Sequence, residues 1–250
     1  MASTNIDDWI IDNSDAIGKR ALEIGSKKHK DGADLKLDNL LRENSPHTKL
    51  IGCDFEKGDG VDVVIDITAP ISEIRSSLGV EAFNTVFCIS VLEHIPDIFR
   101  AAENITELLR PRGSLFISVP FIHRYHGYPA DYWRFTPQSL LYLFPDIDFK
   151  HFKCSSITTF EKGDKMKIDD KKSFKQMNRF LIRPNSLEDV EKRKDAKKRG
   201  EYIPYSMVPS YINLMGKKKE GQNKQRHPNI LRKKVNKLLR TFKIPYQWKI

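Results

Sequence analysis

A chain of 250 residues with 39% hydrophobic and 30% charged content suffices for one α/β domain with a sizeable core plus an appendage. No apolar run is long enough to span a bilayer, and the polar, acidic stretch from Met1 to Asp8 does not read as a signal peptide. The net charge of +10 is unevenly spread: residues 1–161 hold 17 Lys and Arg against 24 Asp and Glu, whereas residues 162–250 hold 26 against 9. An acidic body therefore precedes a basic end, and any inference from basicity concerns that end alone.

In chain order, Ile6, Trp9, Ile10 and Ile17 give a loose helical stripe that Gly18 stops, a helix set to pack on a sheet. Lys19 to Ser26 reads as the first strand. Residues 33–44 place Leu35, Leu37, Leu40 and Leu41 near helical spacing, a crossover helix. Lys49–Asp54 and Val61–Asp66 are the second and third strands. Pro70–Leu78 reads as a short helix with its proline near the first turn. Phe83–Ser90 is strand four, Asp97–Leu109 a helix ended by Arg110-Pro111-Arg112-Gly113, and Ser114–Val119 strand five, stopped by Pro120. Gln138–Phe144 reads as a helix and Phe149–Ser155 as a late strand. Strands alternating with helices at this spacing predict a doubly wound, mostly parallel sheet, with all strand ends along one rim. Cys53, Cys88 and Cys154 are odd in number and scattered in strand-like contexts. They read as buried free thiols of a reducing cytoplasm, not as a disulfide framework or a zinc site.

The stretch Ala21-Leu22-Glu23-Ile24-Gly25-Ser26 organises this body. An apolar run carrying an acid and breaking on Gly-Ser reads as a buried strand ending in a tight turn. Small ligands of open α/β sheets bind past such strand ends, where a glycine lets the backbone come close. Asp54 and Asp66 each follow a further apolar run, where a nucleoside needs acceptors. Taken singly, Glu23 is a strand acid paired with Lys19 or Arg20, and Asp54 a turn former. Taken together, acids at successive strand ends favour the ligand reading.

The segments Leu22-Glu23-Ile24-Gly25, Ile51-Gly52-Cys53-Asp54, Val61 to Asp66, Val91-Leu92-Glu93-His94-Ile95-Pro96 and Leu109 to Gly113 follow in the order seen in class I S-adenosylmethionine-dependent methyltransferases. Over about residues 15–150 the chain resembles the branch with a "vLEHi" segment and a later Asp-Tyr-Trp-Arg-Phe-Thr-Pro segment, here Asp131–Pro137. The resemblance implies a seven-stranded Rossmann-like sheet and S-adenosyl-L-methionine as cofactor. It implies that Glu23, Gly25 and Ser26 shape the turn around the methionine part. Asp54, with Phe55 beside it, would take the ribose hydroxyls, since an ionised carboxylate accepts two short hydrogen bonds at once. Asp66 and Ile67 would sit at the adenine, and Ser90 and Val91 near the methyl-donating end. The turn departs from the family's usual GxGxG: Gly25 is followed by Ser26-Lys27-Lys28-His29-Lys30-Asp31-Gly32.

A sulfonium methyl is already activated, so catalysis asks mainly for in-line positioning and removal of a proton. His94, His126 and Asp131 are the candidate catalytic residues. His94 is expected to start the helix after strand four, at the cofactor rim, with a helix-start packing or capping role as the competing reading. His123 and His126 lie in the loop from Phe121 to Pro129, the expected substrate wall. Tyr132 and Trp133 read as core packing under that loop. Arg134 either pairs with Asp131 or clamps an anion. No metal site is assigned.

From Glu161 to Gly200 the chain turns Lys-rich, with a helix-like stretch over Leu187–Arg199; Ser206–Met215 is an apolar island. Ile230, Leu231, Val235, Leu238, Leu239 and Phe242 then fall at helical spacing between six Lys and Arg, with Tyr246 and Trp248 trailing. Such a basic amphipathic helix near 229–243 either packs on the domain or rests on an anionic membrane surface. The domains expected are therefore 1–160, binding the cofactor, and 161–250, a basic extension. The function expected is methylation of a small-molecule or glycan-precursor hydroxyl by a cytoplasmic enzyme, peripheral on the inner face of the membrane if the tail binds it. A nucleic-acid methyltransferase and a non-catalytic, tail-anchored interaction module are the alternatives.

Overall fold

The computed structural model describes residues 3–28, 37–127, 130–149, 156–159, 165–167, 195, 198–199 and 210–220. The chain divides into two units, Met1–Lys219 and Glu220–Ile250. Of the second unit only Glu220 is described, so the amphipathic stretch near 229–243 lies outside the described residues, as do Cys154 and nearly all of 187–199.

In chain order the first unit runs α1 (Ser3–Ile11), β1 (Arg20–Ile24), α2 (Leu37–Asn44), β2 (Lys49–Asp54), β3 (Val63–Val64), α3 (Ile71–Leu78), β4 (Phe83–Ile89), α4 (Ile98–Leu108), β5 (Leu109–Ile122), α5 (Pro137–Leu143), β6 (Ile147–Asp148), β7 (Ser156–Thr159), β8 (Lys165–Lys167) and β9 (Ser210–Lys218). Short 3₁₀ turns cover Ser14–Ala16 and Leu92–His94. The sheet order is β3-β2-β1-β4-β5-β9-β7-β8, with β6 also pairing β9. The first five strands are parallel, and β9 runs antiparallel to β5 and to β7. A seven-strand core from β3 to β7 thus has every strand but β9 pointing one way, and β6 and β8 are short additions.

Alternation of side chains across the pleat sends apolar residues to both faces. Leu22, Ile24, Val86, Cys88, Leu115, Ile117, Ile212 and Leu214 join a core under α3, α4 and α5. Ala21, Phe87, Phe116 and Met215 join a second core under α1 and α2. All four apolar residues of the N-terminal stripe are buried there, and Trp9 meets Phe116 edge-on at 5.4 Å. The helix ends at Ile11, before Gly18. Gly18 instead lets the backbone pass Asn84, whose Cβ would lie 2.4 Å from any Cβ added at position 18.

Two helices start where side chains satisfy their first N–H groups. Asp97 accepts from Arg100 N at α4, and Thr136 and Ser139 form a reciprocal capping box at α5. Cys53 and Cys88 are buried free thiols, and burial pushes both well above the ordinary thiol range.

Three expectations need amendment. The third strand pairs over Val63–Val64 only: Ile65 N on the Asp54 carbonyl is the last rung of the ladder, and the chain then turns at Asp66, which accepts from Thr68 N through its side chain and from Ala69 N through its carbonyl. Pro120 does not end strand five. The β4 side of the ladder closes at Ser118, so the missing N–H of Pro120 breaks nothing there; its carbonyl accepts from Phe135 N, and β9 carries the strand on to Ile122. Of the late strand expected over Phe149–Ser155, all but Phe149 lies outside the described residues. The apolar island at 206–215 supplies most of β9, the strand that covers the open edge of β5, so the sheet draws on chain beyond residue 161.

Phe116 is fully buried between Trp9 and Phe87 and pins α1 to the sheet. Phe116→Ala should lower the unfolding free energy by about 4 kcal/mol, read by equilibrium denaturation. A loss below about 1 kcal/mol would mean that α1 is held elsewhere.

Candidate functional site

The parallel order puts β1 between β2 and β4, and the connections leave in opposite directions on either side of it. A crevice therefore opens at the carboxyl ends of β1 and β4. Gly25 leaves β1 with φ +79°, a left-handed turn that favours glycine. A Cβ there would sit 2.3 Å from Val91 Cγ2, so the chain past β1 and the chain past β4 nearly touch. Gly25 N and Ser26 N both donate to the Cys53 carbonyl, at 2.8 and 3.1 Å, which ties the turn to β2. Gly52 is needed too, since a Cβ on it would meet Gly60 O at 2.4 Å and Ser26 Oγ at 2.7 Å. Asp62 clamps Gly52, accepting from its N–H at 2.8 Å.

Asp54 ends β2 on this rim. Lys27 N donates to Oδ2 at 3.2 Å and Glu56 N to Oδ1 at 3.1 Å. One N–H on each oxygen leaves each with a second lone pair for a ligand. Ser26 Oγ is buried with no hydrogen-bond partner among the described residues. Phe55 is exposed beside Asp54, and Ile67 is buried under Asp66. Asp66 Oδ1 accepts from Thr68 N and Oγ1, leaving Oδ2 toward solvent chemistry. An orphaned buried hydroxyl, two glycine cradles and a half-used carboxylate suit a nucleoside with a charged amino-acid tail.

The opposite wall is made by the 3₁₀ turn after β4 and the loop after β5. Ser90 takes φ +55°, rare for a residue with a side chain, while its N–H holds the Ser118 carbonyl at 2.8 Å. Its side chain bonds Tyr211 of β9, whose hydroxyl burial pushes up to about 12. The Asp131 segment is laced to both elements. Tyr132 N donates to Glu93 O at 2.8 Å, Trp133 Nε1 to Ile95 O at 2.9 Å, and Phe135 N to Pro120 O at 3.1 Å. Arg134 reaches the His123 and Arg124 carbonyls and forks onto the Asp131 carboxylate, whose side chain is 1% exposed. Asp131 also accepts from His126 N at 2.8 Å and lies 3.1 Å from His126 Nδ1.

These contacts set the charges. The Arg134 guanidinium holds the Asp131 carboxyl well below the ordinary carboxylate range. Burial lowers His94 and His123, keeping both imidazoles neutral near pH 7. His94 Nδ1 lies 2.5 Å from the Ala130 carbonyl, and the His94 and His126 rings meet edge-on at 5.1 Å. Burial pushes the fully enclosed Glu93 up to about 8.

The candidates thus fall into two groups. Glu23, Gly25, Ser26, Asp54, Phe55, Asp66, Ile67 and Ser90 all lie at the carboxyl ends of β1 to β4 or just past them. His94, His126 and Asp131 converge on the other wall, where Asp131 holds His126 in place. Arg134 pairs with Asp131. Tyr132 and Trp133 are not core residues, at 51% and 36% exposed; the buried aromatic of the segment is Phe135. Their backbone and indole hydrogen bonds fix the segment while the rings stay at the surface. Two residues were not singled out from sequence. Glu93 stands inside the quoted Val91–Pro96 segment, where an acid flanked by apolar residues is the available signal. Tyr211 lies in the apolar island and carries no such mark.

A family model described as a methyltransferase domain matches residues 5–177. A ubiquinone biosynthesis O-methyltransferase of Aeromonas salmonicida is 31% identical over 122 residues, covering 45% of this chain and 48% of that protein, so the match spans about half the relative's length. Among solved structures, a SAM-dependent methyltransferase from Archaeoglobus fulgidus aligns with a TM-score of 0.49 at 15% identity, over 85% of this chain and 93% of that one. The 1,6-didemethyltoxoflavin-N1-methyltransferase of Burkholderia thailandensis, solved with S-adenosylhomocysteine, aligns with a TM-score of 0.47 at 16% identity, over 88% and 80%.

The Asp131–Arg134 pair makes the second wall sensitive to acid. A carboxyl lowered by folding stabilises above its ordinary value of 3.8, and that contribution is lost as pH falls below it. The unfolding free energy of the wild type should therefore drop as pH falls through this range, and Asp131→Asn should flatten the drop. At neutral pH, Arg134→Ala, which leaves the Asp131 carboxylate with His126 alone, should cost about 1–2 kcal/mol by denaturant titration.

Proposed function

The chain belongs to the class I S-adenosylmethionine-dependent methyltransferases, and from that premise we propose that it methylates a hydroxyl of a small molecule, a sugar or glycan-precursor alcohol being the first acceptor to try. The cofactor is S-adenosylmethionine, which supplies an activated methyl on a sulfonium. The observation that carries the reading is the crevice at the β1/β4 switch point, with the half-used Asp54 carboxylate on one side and a histidine-lined wall on the other.

In this reading Asp54 holds the ribose through the two lone pairs its backbone donors leave. Asp66 and Ile67 border the adenine. The left-handed turn at Gly25 and the orphaned Ser26 hydroxyl receive the methionine part. Hydrogen-bonded groups that face only the bound cofactor act by positioning, which brings the methyl donor and the acceptor into line without a covalent step on the protein. The acceptor lies against His94 and His126. A neutral imidazole near pH 7 is ready to accept a proton, and His94, with Nδ1 on the Ala130 carbonyl, keeps Nε2 for that purpose. Asp131, locked by Arg134, fixes the orientation of His126. An oxygen acceptor is supported by the curated relative, which is an O-methyltransferase; its substrate is not carried over, since the match covers about half of it.

Asp54→Ala tests the cofactor assignment by calorimetry. Two charge-assisted hydrogen bonds at about 1.5 kcal/mol each set the expected loss at about 100-fold in affinity. Unchanged affinity would refute the placement of the ribose at Asp54. Failure of the wild type to bind S-adenosylmethionine at millimolar concentration would overturn the enzyme reading and leave the interaction module.

A further inference from the structure

Glu93 is the buried group that the methyl-transfer reading leaves without work. Its side chain is fully enclosed, and neither carboxylate oxygen has a hydrogen-bond partner among the described residues. Such a carboxyl is costly unless it is paired, protonated or bound to an ion. It is not alone there. One donor atom each from Glu93, His94 and His126 lies within 4.8 Å of the other two. Glu93 and His94 come from the 3₁₀ turn after β4, and His126 from the loop after β5, so the fold brings together two segments that the sequence keeps apart.

Both imidazoles are oriented from behind. His94 Nδ1 contacts the Ala130 carbonyl at 2.5 Å, which requires an N–H there; its lone pair is then on Nε2, the nitrogen 3.9 Å from Glu93 Oε1. His126 Nδ1 is 3.1 Å from the carboxylate of Asp131, itself forked by Arg134. Histidines that ligate a metal carry this kind of backing: a carbonyl or carboxylate on one ring nitrogen fixes the tautomer and turns the other toward the ion. Without an ion, the same contacts orient two imidazoles toward a carboxylate that makes no hydrogen bond to either.

The geometry points to a divalent-cation site built by Glu93, His94 and His126, taking a borderline transition ion such as Zn²⁺. Two imidazoles and one carboxylate are the donor set of open, three-ligand zinc and iron(II) centres, with at least one position left for a substrate or water. Ligand atoms around such an ion are about 3.3 Å apart, so the three side chains close by roughly 1 Å when it binds. An ion here ties the two loops of the second wall together. It also gives Asp131 and Arg134 a purpose beyond packing, as the support behind one ligand. If the acceptor is a hydroxyl, as the preceding reading has it, the ion polarises that oxygen, and the imidazoles act as ligands in place of a free base; the site itself does not depend on that reading.

The test uses the untagged full-length protein, dialysed against chelator and titrated with Zn²⁺ by calorimetry, with Co²⁺ added separately and followed by visible absorption. The expected result is one equivalent of Zn²⁺ and d–d bands of low-symmetry Co²⁺. Glu93→Gln and His126→Ala should each weaken Zn²⁺ by about 100-fold, and Asp131→Asn, which removes only the backing, by about tenfold. Cofactor affinity is measured on every variant as the check on folding. His126, partly exposed at 30%, carries the test if Glu93→Gln does not fold. Less than a tenth of an equivalent of bound Zn²⁺, or wild-type affinity in folded Glu93→Gln or His126→Ala, overturns the proposal. A protein that binds S-adenosylmethionine but no metal keeps the methyltransferase reading and loses this one; a protein that binds metal but no cofactor does the reverse.

Discussion

The closeness of two chain exits governs this molecule. The chain leaves β1 through a left-handed glycine and passes within a methyl group of Val91, where the chain leaves β4. Any side chain at position 25 would force these exits apart, and with them the strand ends that carry Glu23, Asp54 and Ser90. The same economy repeats one strand over, where Gly52 lets Gly60 and Ser26 lie against β2. Backbone brought this near to backbone leaves room for a ligand along the rim and supplies N–H groups at fixed places. The Asp54 carboxylate is held by two such N–H groups, which fix its direction through backbone contacts.

The second wall is held by a different device. The segment from Asp131 to Phe135 has no helix or strand of its own, yet it is stitched to Glu93, Ile95 and Pro120 through hydrogen bonds and to the loop at His123–His126 through Arg134. A loop fixed this densely behaves as part of the scaffold. An irregular stretch held in this way is able to place side chains to within about 0.5 Å, the tolerance that a catalytic site demands. The cost is a buried Asp131 side chain that depends on a half-exposed Arg134, a pair that contributes little unless both partners stay in register. The structure accepts that cost at the rim, where orientation matters, and not in the sheet, whose centre is Phe87, Phe116, Ile117 and Leu214.

How much of this could be read in the sequence depended on the range of the signal. Strand β2 was legible from Lys49 to Asp54, and Asp97 as a helix start, because apolar runs and capping residues act over a few positions. The rim acids were legible for the same reason: each directly follows a strand or an apolar run. Pro120 misled because a proline is a stop signal only where its N–H is needed, and which edge of β5 is paired at that point is set by β9, 90 residues away. Strand β9 itself sits in an island of apolar residues that a Lys-rich surround made look like an appendage. The exposure of Tyr132 and Trp133 was beyond local reading too, since it follows from where Glu93 and Ile95 anchor them.

Buried polar groups sharpen the point. Several inside the fold are answered: Asn104 donates to the Ile67 and Ala69 carbonyls, Ser118 meets Asn213 across β5 and β9, and the half-buried Lys218 donates to the Thr106 and Leu109 carbonyls at the end of α4. The orphans are distributed otherwise. Of the five described residues with a buried, unpartnered side-chain oxygen, Ser26, Glu93 and Ser210 lie at the rim: Ser26 past β1, Glu93 past β4, and Ser210 at the start of β9 opposite Ile122 of β5. Burying a hydroxyl or carboxyl without a partner costs about 1–3 kcal/mol each, so a fold that satisfies its interior has no reason to collect such groups along one edge. Open α/β sheets bind their ligands at that edge. A cofactor's carboxylate and amine, an acceptor's hydroxyl and a metal ion are each able to supply what these oxygens lack, and the pattern of unmet hydrogen bonds follows the crevice from one wall to the other.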